Sequence, residues 1–312
     1  MGTYLITGVS GYLGARIGKD LVDMGHRVIG LGRKKNLDAL SFDYYSLDLS
    51  EESCEKQLKV IMLDCSVDGV LHLASLDQKS SEGLEDKVFQ VNVLGTQRLL
   101  RAMEGFPEIG LIFFSTVHVH GRIGEKVDVD QDKAPLNGYG LTHGLSEDLV
   151  RFARRGKGQK TMVLRLSNGY GWSPVMNEQA RGLVVNDLVN QAMKDRQLSL
   201  KSDGSPVLDF FWIGDLAPLI QNIAQKDDWP EVALLASGRA ISLYDLAKKV
   251  GEKAVGPPGL PILKDGVFLE RPKALRKIEM ISNLPECLPG WRSSSLDTGL
   301  SELLDLGLME GR

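Results

Sequence analysis

The sequence predicts an α/β fold: a doubly wound parallel sheet followed by a smaller C-terminal lobe. Three observations carry that prediction. Through the first half of the chain, short apolar runs alternate with stretches of helical spacing, the pattern of a parallel sheet covered on both faces. A glycine-spaced segment, Thr7-Gly8-Val9-Ser10-Gly11-Tyr12-Leu13-Gly14, joins the first apolar run to the first helical stretch. Chemically active side chains then cluster just after successive strands, where open α/β sheets bind ligands.

The elements follow in order. The apolar runs predict strands over Thr3–Thr7, Arg27–Leu31, Asp43–Leu47, Gly69–Leu73, Gly110–Ser115 and Thr161–Leu166. Helical spacing predicts helices over Leu13–Met24, where Leu13, Ile17 and Leu21 share a face, and over Glu51–Leu63, Leu84–Met103 and Leu141–Arg154. Gly25 suits a C-terminal cap on the first helix. The second half is less regular, punctuated by Pro174, Pro206, Pro218, Pro230, Pro257, Pro258 and Pro261, with helical spacing over Leu183–Met193 and Leu243–Lys249. The chain divides into a first domain over 1–166 and a lobe built mainly from 167–312, with segments at about 207–240 returning to the first domain.

The bulk composition excludes several classes. A chain of 312 residues has ample core for one large or two modest domains. Its 43% hydrophobic and 25% charged residues are ordinary for a soluble globular protein. A formal net charge of -4 gives no reason to expect nucleic acid or an anionic membrane as a partner. No apolar run reaches the length of a membrane span, and no signal-like segment precedes the first strand. Cys54, Cys65 and Cys287 lack metal-site spacing and read as reduced thiols of a cytoplasmic protein.

The glycine segment sets the chemistry. A strand, a glycine turn and a helix in that order bring free N–H groups and a partial positive charge next to the glycines, which suits a pyrophosphate. Gly8 permits the tight turn, Gly11 lets the backbone approach phosphates, and Gly14 lets the helix pack close to the strand. A bland structural turn is the alternative.

Four strand-end segments complete the pattern: Leu71-His72-Leu73-Ala74; Phe113-Phe114-Ser115-Thr116-Val117-His118-Val119-His120-Gly121; Tyr139-Gly140-Leu141-Thr142-His143, which opens a helix; and Leu164-Arg165-Leu166-Ser167-Asn168-Gly169-Tyr170-Gly171. With Thr-Gly-x-x-Gly-x-x-Gly they resemble the extended short-chain dehydrogenase/reductase superfamily, and within it the nucleotide-sugar epimerase/dehydratase family. The resemblance runs from Thr3 to about Tyr170. It continues more faintly through Leu208–Leu216, Gly290-Trp291 and Ser295–Leu300.

That resemblance implies a Rossmann fold with a sugar-nucleotide lobe, and hydride transfer between a nicotinamide ring and a sugar carbon. It places the catalytic Tyr at Tyr139, the catalytic Ser/Thr at Thr116, and the family's lysine position at His143. Cofactor contacts are implied at Gly8, Ser10, Gly11, Tyr12, Leu13, Gly14, Arg33, Lys34, Asp48, Leu49, Leu73, Ala74, Asn92, Ser115, Tyr139 and His143. Substrate contacts are implied at His118, Asn168 and Arg181, with Lys201 a further phosphate candidate. The bottom-up chemistry agrees. A hydride leaves a carbinol carbon only as its hydroxyl proton is removed, and a tyrosine can take that proton if its pKa of about 10 is lowered. A Thr hydroxyl can hold the substrate oxygen.

The pattern breaks at His143, where the family motif Tyr-x-x-x-Lys has its lysine. That lysine holds the nicotinamide ribose and lowers the tyrosine pKa. Histidine, mostly neutral at pH 7, can donate one ribose hydrogen bond but supplies less charge. Three readings stay open: His143 does a reduced version of the lysine's job; the enzyme works mainly as a reductase, with Tyr139 donating its proton; or a dinucleotide-binding protein remains with catalysis weak or lost. The family's 4,6-dehydratases carry Asp-Glu directly after the catalytic Thr. Val117-His118 stands there instead, which disfavours dehydration and leaves epimerisation and keto-sugar reduction, with reduction slightly ahead.

Strand alternation would put His118 and His120 on one side, opposite Val119. His120 reads as structural, His118 as a site acid or substrate contact, and His72 as a satisfied strand-end residue. No metal is expected. After the second strand, Gly30-Leu31-Gly32-Arg33-Lys34-Lys35 lacks the acid that NAD-users of the group place on the ribose. Its cations suit a 2′-phosphate, so NADP is favoured over NAD; a solvated basic turn is the alternative. Trp172 and Trp212 read as core rather than base-stacking residues. The resemblance implies a nucleotide-sugar substrate and a homodimer packed through the helices at Leu84–Met103 and Leu141–Arg154. Leu145, Leu149 and Phe152 form an apolar stripe that serves a partner or covers the sheet.

Overall fold

The computed structural model describes residues 1–33, 42–122 and 124–310, with side chains through position 306. Seven strands form one parallel sheet: β1 Thr3–Thr7, β2 Arg27–Gly32, β3 Asp43–Ser46, β4 Gly69–His72, β5 Gly110–Thr116, β6 Thr161–Leu166 and β7 Val232–Leu235. Their spatial order is β7-β6-β5-β4-β1-β2-β3. The order reverses beside β1, so the crevice between β1 and β4 is the switch point where such sheets bind ligands. Thr7 is registered with Leu31 on one side and with His72 on the other, which sets three strand ends level along that crevice.

Alternation along each strand feeds two cores. Ile6, Val28, Leu71, Ile112, Phe114 and Leu164 pack on one face with Ile17 and Leu21 of α1 (Tyr12–Asp23) and with the helix Leu216–Ala224. Leu5, Ile29, Val70, Leu111, Phe113 and Val163 pack on the other with α2 (Cys54–Cys65), α3 (Gly95–Met103) and α4 (Gly138–Lys157). A third cluster, around Tyr170, Leu188, Leu246, Val250 and Leu300, is the core of the C-terminal lobe. It joins the helices Val184–Lys194, Leu243–Val255 and Leu296–Glu310. Among the described residues, no helix is long and apolar enough to cross a membrane.

The first six strands and four helices lie where periodicity predicts them, with ends shifted by local chemistry. α4 starts at Gly138 rather than Leu141, because the Asn137 side chain accepts from Gly140 N–H and caps it there. It ends at Lys157 rather than Arg154, on Gly158 at φ +67°. The single helix expected over 84–103 is interrupted. A π-helical stretch, Phe89–Leu94, precedes α3, and the Asn92 carbonyl there accepts from both Thr96 and Ser146 hydroxyls. β7 is short, and its residues come from the irregular half of the chain; pairing with β6 decides its state.

Candidate active site

The glycine turn after β1 is an open anion cradle. Gly8 stands at φ +71°, and a Cβ on it would lie 2.8 Å from Ala74 N, because the chain leaving β4 crosses it. A Cβ on Gly14 would lie 2.4 Å from the Gly8 carbonyl, so only glycine lets α1 sit this close to the turn. Gly11 differs: a Cβ there meets only Gly8 O, at 3.2 Å, and otherwise faces open space. Gly11 is the N-cap of α1, makes no side-chain cap, and no acid stands in the first turn. The helix therefore presents free N–H groups and its positive end without a counter-charge, which fits the diphosphate of a dinucleotide.

At the start of α4 the opposite holds, and the helix start is capped and closely packed. Cβ atoms on Gly138 and Gly140 would lie 2.1 Å from Ser81 O and 2.4 Å from His118 O, so the flanking glycines let Tyr139 be set directly against the strand-end turns. Tyr139 lies in an aromatic and imidazole cluster. Its ring is 4.2 Å from the His143 ring and 5.9 Å, edge-on, from that of His118; His143 stacks on Phe113 at 6.0 Å. Thr116 ends β5 nearby and accepts from His118 N–H. Burial pushes the Tyr139 hydroxyl up to about 12, and the Asp77 carboxylate pushes the same way.

His143, at the family's lysine position, has its one N–H engaged by the helix backbone. Its Nδ1 is 2.9 Å from the Tyr139 carbonyl oxygen, which can only accept, so Nδ1 carries the proton. The neutral ring has no second N–H. The donor expected for the ribose is spent on the helix backbone, and Nε2 offers a lone pair. Burial drives the ring down to about 4, outweighing that hydrogen bond and the Glu147 carboxylate, so it is uncharged at pH 7 and leaves the tyrosine pKa high.

The other histidines separate by the same reasoning. β5 stops at Thr116, and Val117–His120 is a 3₁₀ turn, so strand alternation does not apply to them. His118 is half-buried against Tyr139. His120 is enclosed: its Nδ1 meets Asp132 O and its Nε2 accepts from Arg165, the structural role expected of it. His72 is fully buried between the hydroxyls of Thr7 and Thr96. Among the described residues, no three His, Cys, Asp or Glu side chains gather to hold a metal ion.

Several residues expected at ligands have their side chains spent on the protein. Ser115 donates to Glu147 at 2.6 Å, and Glu147 is gripped in bidentate fashion by Arg165 at 2.8 and 3.0 Å, both charges being almost fully buried. The Asn92 amide holds Leu76 N–H and the Thr142 hydroxyl, which ties the loop after β4 to α4. Tyr12 leaves an anion only its backbone N–H: its hydroxyl donates to Gly171 O and accepts from Asn186. One turn on, Arg16 bonds Trp172 O and pairs with Glu302, so this face of α1 is bound to the lobe. The Asn168 amide donates to Asp209 O, and Arg181 holds Met176 O. Lys201 is exposed.

Other sequence candidates stay near the cradle. Leu73 and Ala74 lie over Gly8. Leu49 is buried beneath α3, where a Cβ on Gly95 would touch it. Asp48 is partly buried, yet Ser50 and the charge of Arg33 hold its carboxyl below the usual range. Arg33 is exposed at the tip of β2, and Lys34 and Lys35 lie outside the described residues. Trp172 and Trp212 pack against the lobe core.

The residues missed by the sequence reading are the ones that hold others. Arg165 carried a signal, a charge inside the apolar run 161–166, which requires a buried partner. Glu147, four residues after His143, is that partner. Asn137 was readable as a cap. Asp77, which accepts from Gln179, 102 residues away in the sequence, left no signal.

Comparison with known proteins agrees with this geometry. The sequence model of the NAD dependent epimerase/dehydratase family matches residues 4–235. A UDP-glucuronate 4-epimerase of Thermodesulfobacterium geofontis is 26% identical over 235 residues, covering 70% of each chain. A dTDP-4-dehydro-6-deoxy-D-allose reductase of Streptomyces bikiniensis is 23% identical over 96% of this chain and 94% of its own. The crystal structure of UDP-glucose 4-epimerase from Thermotoga maritima with UDP-glucose superposes with a TM-score of 0.81 at 22% identity, covering 99% of this chain and all of that one. The family match spans the crevice, the cradle and the start of α4, and the chain belongs to the NAD dependent epimerase/dehydratase family.

Proposed function

We propose that the protein is an NAD(P)-dependent oxidoreductase acting on a nucleotide-linked sugar, and that it runs chiefly as a ketoreductase, ahead of 4-epimerisation. The bound nicotinamide supplies the hydride. The observation that carries the direction is the neutral His143 beside Tyr139. Among the described residues no cation lowers the tyrosine, so it rests as a phenol, the state that donates a proton to a carbonyl oxygen as charge develops there. Epimerisation starts by removing a hydroxyl proton, which this phenol does poorly at pH 7. Thr116 holds the same oxygen, His118 borders the substrate carbon, and Nε2 of His143 accepts from a ribose hydroxyl.

We read residues 1–166 as the dinucleotide domain and 167–312 as mainly the substrate lobe. Asn168 and Arg181 stand on the lobe side, where a sugar diphosphate enters. NADP is favoured, because Gly32 leaves the tip of β2 without an acid and Arg33 follows it exposed. A homodimer through α3 and α4 is supported by Phe152 and Leu145, exposed by 63% and 38%, while Leu149 of the same stripe packs toward the sheet.

The test mixes the protein with NADPH and a panel of 4-keto nucleotide sugars while nicotinamide absorbance is followed; a parallel epimerisation arm with UDP-glucose and NAD is read by chromatography of the product sugars, because epimerisation leaves the nicotinamide unchanged. Turnover of a keto sugar, with slower or absent epimerisation, is expected. Tight dinucleotide binding without turnover in either arm overturns the proposal and leaves a binding protein.

A further inference from the structure

The tip of β2 contains a buried polar atom that nothing described in the protein satisfies. Tyr44 lies on β3 in register with Gly30, and its ring packs against the core. Its hydroxyl is buried and, among the described residues, has no hydrogen-bond partner. A Cβ on Gly32 would lie 3.1 Å from that hydroxyl and 3.2 Å from Ser10 Oγ. Two hydroxyls, one from the glycine turn and one from β3, thus converge on the space left by the missing side chain of Gly32, with Arg33 as the next residue.

A buried hydroxyl without a partner gives up its hydrogen bonds to water for nothing in return, so a Tyr here rather than a Phe calls for a partner. The position identifies the partner's chemistry. In a strand–turn–helix dinucleotide site, the residue about 20 positions beyond the glycines meets the 2′ position of the adenosine ribose, and Gly32 stands there. Both hydroxyls can donate, and a phosphate offers only acceptor oxygens. Hydrogen bonds to an ionised acceptor are about twice as strong as neutral ones, so the arrangement gains more from a 2′-phosphate than from a 2′-hydroxyl. An acidic side chain at position 32 would crowd both hydroxyls and repel the phosphate.

We propose that Tyr44 is a specificity-determining residue for the dinucleotide, its hydroxyl donating to a 2′-phosphate on the adenosine ribose together with Ser10 Oγ and the Arg33 guanidinium. This rests on the NADP reading above. The test is equilibrium binding by calorimetry of the full-length protein to 2′,5′-ADP and to 5′-AMP, which differ only in the 2′-phosphate. The wild type should prefer 2′,5′-ADP. Tyr44→Phe should weaken 2′,5′-ADP about tenfold, leave 5′-AMP within twofold, and leave the melting temperature unchanged or higher. Gly32→Ala, which crowds the hydroxyl without removing it, should weaken 2′,5′-ADP alone. A wild type without preference overturns the NADP reading and this inference with it. A wild type with preference, whose Tyr44→Phe variant binds both probes unchanged or loses both equally, overturns the inference alone.

Discussion

Two helices, α1 and α4, begin close to the crevice, and they begin in opposite ways. α1 starts at Gly11 with no side-chain cap and no acid in its first turn, so its N–H groups point at open space. α4 starts at Asn137, whose side chain accepts from Gly140 N–H at 2.7 Å, and its first turn is wedged by glycines against Ser81 and His118. The first is an uncapped socket and the second a fixed mount. A helix start becomes an anion site through what it lacks, and a platform for an acid through what it fills. The same contrast applies to charge: the cradle has uncompensated positive potential, whereas the mount holds a neutral imidazole and a protonated phenol.

The comparison breaks most visibly at the mount. Tyr139→Phe should lower turnover by about 10²–10⁴-fold while dinucleotide affinity, measured by titration, stays within a few-fold. Equal loss of binding and turnover would mean that the two helix starts are not separable. The next largest effect is on acid stability. The His143 pKa lies near 4 in the folded protein against an ordinary value of 6.5, so the unfolded chain binds the extra proton first. His143 costs nothing above about pH 6.5, and stability falls as pH drops from there to about 4, by roughly 3 kcal/mol from this group. His72, held near 3, extends the fall to lower pH. Thermal melts between pH 7 and 4 should show His143→Gln losing less than the wild type; identical slopes would mean that the ring is not buried neutral.

The socket is tested by closing it. Gly11→Asp places a capping carboxylate where the anion belongs, at an ordinary backbone φ of -88°. It should raise stability by about a few tenths of a kcal/mol and weaken dinucleotide binding by about tenfold. Changes of the same sign in both measurements would contradict an open anion site. The smallest effect is at the cap of the mount. Asn137→Ala should cost about 1 kcal/mol of stability by denaturant melt, and it should lower turnover more than affinity because Tyr139 is two residues away.

Most of the fold was legible because it rests on local patterns. Strand runs and helical spacing located six of the seven sheet strands, and the glycines located the cradle. The π-helical stretch at 89–94 was not legible, since its extra turn depends on Asn92 O receiving hydroxyls from Thr96 and from Ser146, 54 residues away. The candidate site was legible only in part. The motif named Tyr139, His143 and Thr116 as candidates, and His118 and His143 do meet Tyr139. The internal partners of Ser115, Asn92 and Tyr12, namely Glu147, Thr142 and Gly171, were not legible, because a polar side chain takes the nearest buried partner, which sequence separation hides.

By itself, the sequence determined the order of strands and helices, the place of the glycine turn that opens α1 and the identity of the residue standing where the family has lysine. Only the tertiary structure decided the state of that residue. Whether an imidazole is charged, which nitrogen carries its proton and whether a tyrosine hydroxyl beside it can ionise depend on burial and on partners from distant strands and loops. Those quantities arise from packing in three dimensions, and here packing left His143 neutral, Tyr139 protonated and the Tyr44 hydroxyl without a partner among the described residues.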